Sequence, residues 1–212
     1  MKLTVFGATG GTGRQLIEQA LAEGNDVTAY VRNPSNLVAS HQPLTIVQGE
    51  LQDRANIERA VNGADAVVSL LGPRPGEDSK SKPLSQGIQN IIGAMKQFGV
   101  GRLIVVSTPS AAAPGDLPDF KYKVLVFLIR SLMRPGFEEI VNVARAVQNS
   151  GLDWTIVRVS ILNNNPESDE VRAGYLGKGE VGVRISRADI AGFILKELRN
   201  GKYVRQMPAL RN

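Results

Sequence analysis

Residues Leu3–Gly13 read LTVFGATGGTG, an apolar run that leads into three glycines spaced three residues apart. The apolar run predicts a buried β-strand, and the residues after Gly13 have a helical pattern that includes Leu16 and Ile17. Glycine adopts positive φ and lets a backbone approach a ligand closely, while the free N–H groups and the dipole of a helix N-terminus favour an anion. This strand, turn and helix therefore predict a site for a phosphate or pyrophosphate group.

The glycine spacing is Gly-x-x-Gly-x-x-Gly and differs from the Gly-x-Gly-x-x-Gly dinucleotide fingerprint. The turn nevertheless follows a predicted strand and opens a predicted helix, which is the context that a dinucleotide site requires. The turn residues predicted to bind the dinucleotide are Gly7, Thr9, Gly10, Gly11, Thr12 and Gly13.

Apolar runs alternate with helical patterns along the rest of the chain. The next strands are predicted over Val27–Val31, Leu44–Val47, Ala66–Leu70, Leu103–Val106 and Trp154–Val159. Helices are predicted over Gln15–Glu23, from near Asp53, over Pro83–Phe98 and within Phe120–Asn149. Nearly all-apolar strands are typical of a sheet covered on both faces. We therefore expect an α/β fold of Rossmann type, a doubly wound parallel sheet flanked by helices, in a single domain of residues 1–212.

The C-terminal part, about residues 160–212, is expected to form a small substrate-side region of that domain. The elements expected there are a polar loop over Asn163–Asp169, a short strand over Val181–Ile185 and a helix over Arg187–Leu198. Ser186 is followed three residues later by Asp189, which favours a capped helix start over a catalytic acid at Asp189.

Composition excludes several classes of site. The 212 residues contain no cysteine, which excludes disulfides, thiolate nucleophiles and cysteine-ligated zinc, and agrees with a cytoplasmic location. His41, the single histidine, stands in a polar stretch that predicts a solvated loop and not a catalytic triad. We predict no metal site.

The formal charge of +5 would suit a nucleic-acid partner, but the basic residues are dispersed and no nucleic-acid module accompanies them. A site for a phosphorylated cofactor is the preferred interpretation. No apolar stretch reaches the length of a membrane span or of a signal peptide, so a soluble, unprocessed protein is expected. Both a monomer and a homodimer are compatible with the sequence.

The end of the second strand indicates which dinucleotide binds. An Asp or Glu there would accept hydrogen bonds from the ribose hydroxyls of NAD, but Arg32 stands there instead. Its planar guanidinium is suited to the 2′-phosphate of NADP(H), and Arg14 could assist. A solvated charge at a strand end is the alternative interpretation of Arg32.

Five pieces of the sequence, in the expected order, resemble the atypical short-chain dehydrogenase/reductase families. They are Gly7–Gly13, Val31–Asn33, Leu70–Gly72, Val106–Thr108 and Leu152–Arg158. The resemblance is greatest to the NADP(H)-binding group that includes flavin reductase/biliverdin reductase B and the NmrA-like proteins. It implies NADP(H) as the cofactor, in a group that contains active reductases and also regulators without turnover.

The resemblance also implies roles for residues at strand ends. Glu50, in place of the Asp commonly found there, and Leu51 would border the adenine. Leu71 and Gly72 would line the path to the nicotinamide. Thr108, preceded by Ser107, takes the place of a serine in the reductase site and would contact the nicotinamide or the substrate. A cap at the strand end is the alternative role of Thr108.

Many members of this superfamily use a Tyr-x-x-x-Lys pair as the proton donor or acceptor. The spacing does not occur in this chain, which disfavours an alcohol dehydrogenase or a sugar epimerase. Hydride transfer to a flavin, a biliverdin-like tetrapyrrole or a quinone requires less of the protein, because solvent can supply the proton. The sequence thus predicts an NADPH-dependent reductase of such a small conjugated acceptor. An NADP(H)-binding redox sensor or assembly protein without turnover is the alternative.

The stretch Phe120–Arg134 combines aromatic, apolar and basic residues where this fold often builds a substrate wall or a lid. Phe120 and Tyr122, together with Arg74 after the fourth strand, are predicted to contact the substrate. A buried helix with basic ends, or a surface for a membrane or a partner, are the alternatives.

Overall fold

The computed structural model describes residues 1–37, 43–73, 83–117, 134–168, 170–177 and 184–211. The strands in these ranges are β1 (Lys2–Phe6), β2 (Asp26–Val31), β3 (Leu44–Gln48), β4 (Ala66–Ser69), β5 (Arg102–Ser107), β6 (Asp153–Arg158), β7 (Ile161–Asn163), β8 (Arg172–Gly174), β9 (Arg184–Ser186) and β10 (Ala209–Arg211). The helices are α1 (Gly11–Ala22), α2 (Arg54–Val61), α3 (Pro83–Gln97), α4 (Arg134–Gln148) and α5 (Arg187–Asn200), with a 3₁₀ turn over Pro34–Asn36.

The main sheet has the strand order β3-β2-β1-β4-β5-β6-β10-β8, and β7 pairs with β9 in a second small sheet. Neighbouring strands of the main sheet are parallel except for β10 and β8, which are antiparallel. The strand order reverses between β1 and β4, and ligands of such sheets bind at the carboxyl ends beside this reversal. The predicted Rossmann-type α/β fold is confirmed.

Helices cover both faces of the main sheet. The side chains of α2, α3 and α4 pack on one face and those of α1 and α5 pack on the other. Successive side chains of a strand point to opposite faces, so Phe6 belongs to the first cluster and Val5 to the second. Burial on both sides explains why the central strands consist almost wholly of apolar residues.

The start of α5 has the predicted cap. The Ser186 hydroxyl accepts a hydrogen bond from the Asp189 amide at 3.0 Å, and the Asp189 carboxylate accepts the Ser186 hydroxyl at 2.6 Å and the Ser168 amide at 2.6 Å. Asp189 is buried, so the structural role favoured for it is confirmed. The helix ends two residues later than predicted, with Gly201 in a left-handed conformation at φ +61°.

Several C-terminal elements differ from the prediction. Asn163, expected in a polar loop, ends β7, and the strand expected over Val181–Ile185 is described as Arg184–Ser186, with 181–183 outside the described residues. The strands β8 and β10, which complete the sheet, were not predicted. Three-residue strands are too short to show a periodic pattern, so their pairing partners decide where they form. Part of the predicted helical region Phe120–Asn149 is confirmed as α4, and 118–133 lie outside the described residues.

Within the described ranges, every helix is too short or too polar to cross a membrane.

Candidate functional site

The glycine turn joins β1 to α1 through close backbone contacts. Gly7 has a φ of +82°, and a Cβ on it would lie 2.9 Å from the backbone C and O atoms of Leu70. A Cβ on Gly13 would lie 2.9 Å from the backbone of Ala8, so a side chain there would force the helix away from the turn. The amide of Gly10 donates to the carbonyl of Gly7 at 3.1 Å and closes the turn. The first and last glycines are therefore required by the fold of the turn itself.

The N-terminus of α1 opens from this turn toward solvent. Gly10, the residue before the helix, has no side chain to cap the first amides, and Gly10 and Gly11 are exposed. Uncapped amides at a helix N-terminus, approached without a Cβ, form a cradle that fits a diphosphate. Thr9 lines a cavity on one side of the turn and Thr12 lines a cavity on the other.

The cavity beside Thr9, here called the nucleotide cavity, has a volume of about 470 Å³ and lies at the carboxyl ends of β1, β2, β3 and β4. Seven of the predicted cofactor residues line it: Gly7, Thr9, Arg32, Glu50, Leu51, Leu71 and Gly72. The structure therefore brings together residues that the resemblance assigned to the adenosine side and to the path toward the nicotinamide.

Two arginines lie at the β2 end of the nucleotide cavity. Arg32 is exposed directly after β2, and its carbonyl accepts the side-chain amide of Gln48 at 3.1 Å. The guanidinium of Arg14 donates to the carbonyl of Asn36 at 3.0 Å and so ties α1 to the 3₁₀ turn that follows Arg32. The arrangement places positive charge beside the carboxyl end of β2.

Tyr30 is a wall residue of the nucleotide cavity that the sequence analysis missed. Its ring is buried 4.8 Å from the ring of Phe6, and its hydroxyl donates to the carbonyl of Glu50 at 2.7 Å. Burial, and then the negative charges of Asp53 and Glu50, raise the pKa of Tyr30 to about 12, so the hydroxyl stays a donor. In the sequence Tyr30 looks like any aromatic residue of a buried strand, and only the register of β2 beside β3 reveals its role.

Leu51, beside Glu50, is also held in place from a distance. The side-chain amide of Asn90 on α3 donates to the carbonyl of Leu51 at 2.8 Å, and its oxygen accepts the guanidinium of Arg54 at 3.1 Å. Gly87, one turn earlier on α3, packs so closely that a Cβ there would lie 2.9 Å from the Leu51 side chain. Helix α3 therefore supports the expected adenine wall.

The cavity beside Thr12, here called the small cavity, has a volume of about 210 Å³. It shares Leu71, Gly72 and Leu84 with the nucleotide cavity, so the two form one cleft. Its remaining lining residues are Thr12, Leu70, Pro73, Val106, Ser107, Thr108, Ile140, Val143, Val159, Ser160 and Leu162. The described lining is largely apolar, contains four hydroxyl side chains and contains no ionisable group.

Thr108 has the capping contacts of its alternative role and also lies beside a cavity. Its hydroxyl oxygen accepts the Ser110 amide at 3.3 Å and its carbonyl accepts the Ala111 amide at 3.1 Å, so it caps the turn after β5. The same residue, with Ser107, lines the small cavity. The hydroxyl can donate its proton elsewhere while its oxygen accepts from Ser110.

Helix α4 reaches the small cavity with Ile140 and Val143. This is the helix near which the Tyr-x-x-x-Lys pair would be expected, and it supplies aliphatic side chains instead. Among the described residues, the small cavity therefore offers shape and hydroxyl contacts but no side-chain acid.

A buried ion pair that was not predicted lies at the end of β6, just before the small-cavity residues Val159 and Ser160. The Arg158 guanidinium, fully buried at the end of β6, donates to the two carboxylate oxygens of Asp116 at 2.5 and 2.8 Å and to the carbonyl of Met207 at 2.8 Å. Asp116 also accepts the amides of Ala113 at 2.8 Å and Leu176 at 3.0 Å. Burial raises the pKa of Asp116, but the hydrogen bonds and charge of Arg158 and these two amides outweigh it, so the pKa lies below its ordinary value. The pair joins the segment after β5 to the end of β6.

The predicted substrate contacts Arg74, Phe120 and Tyr122 lie outside the described residues, as does His41. A third cavity, about 800 Å³, is lined by α1, α5 and the segment before β8. It is larger than the cleft, but none of the predicted site residues within the described ranges lines it. We place the functional site in the cleft, because the glycine turn and the carboxyl ends of the strands meet there.

Comparison with known proteins identifies the family of the chain. A family model described as NAD(P)H-binding matches residues 7–201. An uncharacterised chloroplastic protein of Arabidopsis thaliana is 30% identical over 179 residues, which cover 80% of this chain and 62% of that protein. The chain therefore spans less than two thirds of the length of this relative.

Two solved structures share the fold over nearly the whole chain. A short-chain dehydrogenase/reductase of Veillonella parvula in complex with NADP has a TM-score of 0.80 at 19% identity and covers 100% of this chain and 94% of its own. The anaerobilin reductase ChuY of Escherichia coli O157:H7 has a TM-score of 0.79 at 20% identity and covers 99% of this chain and 96% of its own. With the match over residues 7–201, the chain belongs to the NAD(P)H-binding family, and it shares the fold of these short-chain dehydrogenases/reductases.

Proposed function

We propose that this protein is an NADPH-dependent reductase that transfers a hydride to a small conjugated acceptor, such as a flavin, a biliverdin-like tetrapyrrole or a quinone. The proposal rests on one observation: the nucleotide cavity and the small cavity, which differ in character, share the lining residues Leu71, Gly72 and Leu84. One cavity is lined by Arg32 and the first residues of the glycine turn, which suits a dinucleotide, and the other is a largely apolar space where an acceptor ring can meet the nicotinamide.

The choice of NADP(H) over NAD(H) rests on the β2 end of the nucleotide cavity. Arg32 lines that cavity, and Arg14 fixes the turn beside it. A guanidinium binds phosphate through a charge-assisted, bidentate contact, which a 2′-hydroxyl cannot match. The turn residues Gly10, Gly11 and Gly13 would bind the diphosphate through the α1 amides.

The chemistry of the small cavity suits an acceptor that needs no protein acid. When bound, the reduced dinucleotide supplies a hydride, which is two electrons and one proton. A conjugated acceptor spreads the resulting negative charge and takes its second proton from water. The protein then has to hold the acceptor against the nicotinamide and prevent side reactions. Thr108 and Ser107 would contact the carboxamide or the acceptor through their hydroxyl groups.

The acceptor side would be completed by the C-terminal region. Ser160 and Leu162 already line the small cavity, which supports a substrate-side role for residues after 160. Arg74, Phe120 and Tyr122 remain predicted contacts of the acceptor, with Arg74 suited to an anionic edge. The likeness in fold to an anaerobilin reductase keeps a tetrapyrrole among the candidates.

The test is anaerobic oxidation of NADPH by the purified protein with FMN, riboflavin, biliverdin and a short-chain quinone, each followed by absorbance. We expect saturable turnover with at least one acceptor and a strong preference for NADPH over NADH. Tight NADPH binding without turnover across the panel would contradict the reductase and favour the NADP(H)-binding sensor.

A further inference from the structure

Arg187, the first residue of α5, lies against the glycine turn although 176 positions of sequence separate it from Gly11. A Cβ on Gly11 would lie 2.6 Å from Cδ and 2.7 Å from Nε of Arg187. The arginine side chain therefore crosses the exposed surface of Gly11, the first residue of α1. A cation from the C-terminal region thus lies beside the first residue of this helix.

The guanidinium of Arg187 is held by neutral groups. It donates to the side-chain oxygen of Asn164 at 2.7 Å and to the carbonyl of Asn163 at 3.3 Å. Among the described residues, no carboxylate lies within 4.0 Å of it, whereas Arg102, Arg158 and Arg199 each have an acidic partner. Its positive charge is therefore not compensated by the part of the chain that the structure describes.

We propose that Arg187 is a ligand of the diphosphate of NADP(H), and that it acts together with the amides of Gly11 and its neighbours. The proposal rests on the dinucleotide binding that the family shows and not on the identity of the acceptor. A diphosphate carries two negative charges, and a guanidinium binds phosphate oxygens with paired, charge-assisted hydrogen bonds. The asparagines at the end of β7 aim the side chain, because they hold the guanidinium beside the turn.

The same contacts connect the two sides of the cleft. Asn163 and Leu162 are consecutive residues of β7, and Leu162 lines the small cavity. An arginine that binds both Asn164 and the diphosphate would therefore hold Leu162, and with it this side of the small cavity, in place when the dinucleotide is bound.

The test compares two ligands that differ in the diphosphate. NADP⁺ contains it, whereas 2′-AMP has the adenosine 2′-phosphate without it. Dissociation constants are measured by calorimetry for the wild type, Arg187→Gln and Arg187→Lys. We expect Arg187→Gln to weaken NADP⁺ by about tenfold and to leave 2′-AMP within twofold, because a charged hydrogen bond to phosphate is lost. Arg187→Lys keeps the charge and should recover a large part of the NADP⁺ affinity.

Binding of 2′-AMP also reports that each variant is folded, and thermal unfolding without ligand gives a second check. Unchanged NADP⁺ affinity in Arg187→Gln would overturn the proposal, and so would equal weakening of both ligands. If Arg187→Gln fails to fold, Arg187→Lys is compared with Arg187→Ala, and an NADP⁺ affinity of Arg187→Lys that does not exceed that of Arg187→Ala would overturn the proposal. A wild-type protein that binds NADP⁺ but reduces no acceptor would contradict the proposed reductase and leave the role of Arg187 intact.

Discussion

The nucleotide cavity and the small cavity meet at Leu71, Gly72 and Leu84 but are built in different ways. The nucleotide cavity is about twice as large, and its residues all come from positions 6–84. The small cavity gathers residues from positions 12–162, on strands, loops and a helix that are remote in sequence. The nucleotide cavity is thus lined by the N-terminal part of the chain, whereas the small cavity depends on how elements from distant parts of the chain pack together.

The supports of the two cavities differ in the same way. The nucleotide cavity is braced by neutral hydrogen bonds to backbone carbonyls, from Tyr30 to Glu50 and from Asn90 to Leu51. The end of β6, which leads into the small-cavity residue Val159, is held by a buried ion pair between Arg158 and Asp116. A buried ion pair with one partner removed is strongly destabilising, while loss of one neutral hydrogen bond has a small effect. The two cavities should therefore respond to substitution on different scales.

The largest effect is expected from Arg158→Ala. Removal of this guanidinium leaves Asp116 as a mostly buried charge and should lower the free energy of unfolding by about 3–5 kcal/mol. Urea unfolding followed by circular dichroism measures the change. The exposed ion pair of Arg199 with Glu23 is the matched control, and Arg199→Ala should cost no more than about 1 kcal/mol. Equal costs for the two variants would show that burial of the Arg158 pair is unimportant.

The same pair predicts a dependence of stability on pH. Because the folded-state pKa of Asp116 lies below its unfolded value, its contribution is present above the unfolded pKa and is lost as pH falls through the folded value. Unfolding midpoints between pH 3 and pH 6 should fall less steeply in Asp116→Asn than in the wild type. An unchanged slope in this variant would contradict the role assigned to the carboxylate.

A smaller effect, confined to the nucleotide cavity, is expected from Arg32→Ala. Loss of a charged contact to the 2′-phosphate should weaken NADPH by about 2 kcal/mol, roughly 30-fold, and leave NADH nearly unchanged. Fluorescence titration with both dinucleotides gives the ratio, and Arg145→Ala on the exposed side of α4 is the control. Equal weakening of the two dinucleotides would refute recognition of the 2′-phosphate by Arg32.

The smallest effect is expected from Tyr30→Phe, which removes the hydrogen bond to the Glu50 carbonyl. The loss of about 1 kcal/mol should weaken NADPH by roughly fivefold without loss of fold. Because the pKa of Tyr30 is raised to about 12, its stabilising contribution is present below pH 10 and is lost as pH rises toward 12. Absorbance titration of the tyrosinate should show this late ionisation in the wild type and not in Tyr30→Phe. Tyr175→Phe, in which a hydroxyl 3.2 Å from Gln206 is removed, should leave NADPH affinity unchanged.

The parts of the molecule that were predictable are those whose cause is local. In the turn, Gly7 is needed for its positive φ, and Gly13 is needed because a Cβ there would meet the backbone of Ala8, five residues earlier. The alternating apolar runs predicted the central strands, since burial on both faces demands apolar residues at every position. The cap of Ser186 and Asp189 was predictable for the same reason, because its partners stand three residues apart.

The remaining features depend on contacts between residues far apart in the chain. In the sequence, Arg158 is simply the last residue of a strand, and its ion pair with Asp116, 42 positions away, appears only in the structure. Arg187 is likewise an ordinary first residue of a helix, and only the structure shows its side chain across Gly11. Sequence spacing carries no information on such pairs, because the partners meet only after the sheet has formed. Local sequence thus determined the fold and the glycine turn, whereas tertiary packing decided that Arg187 lies across this turn and which distant elements line the small cavity.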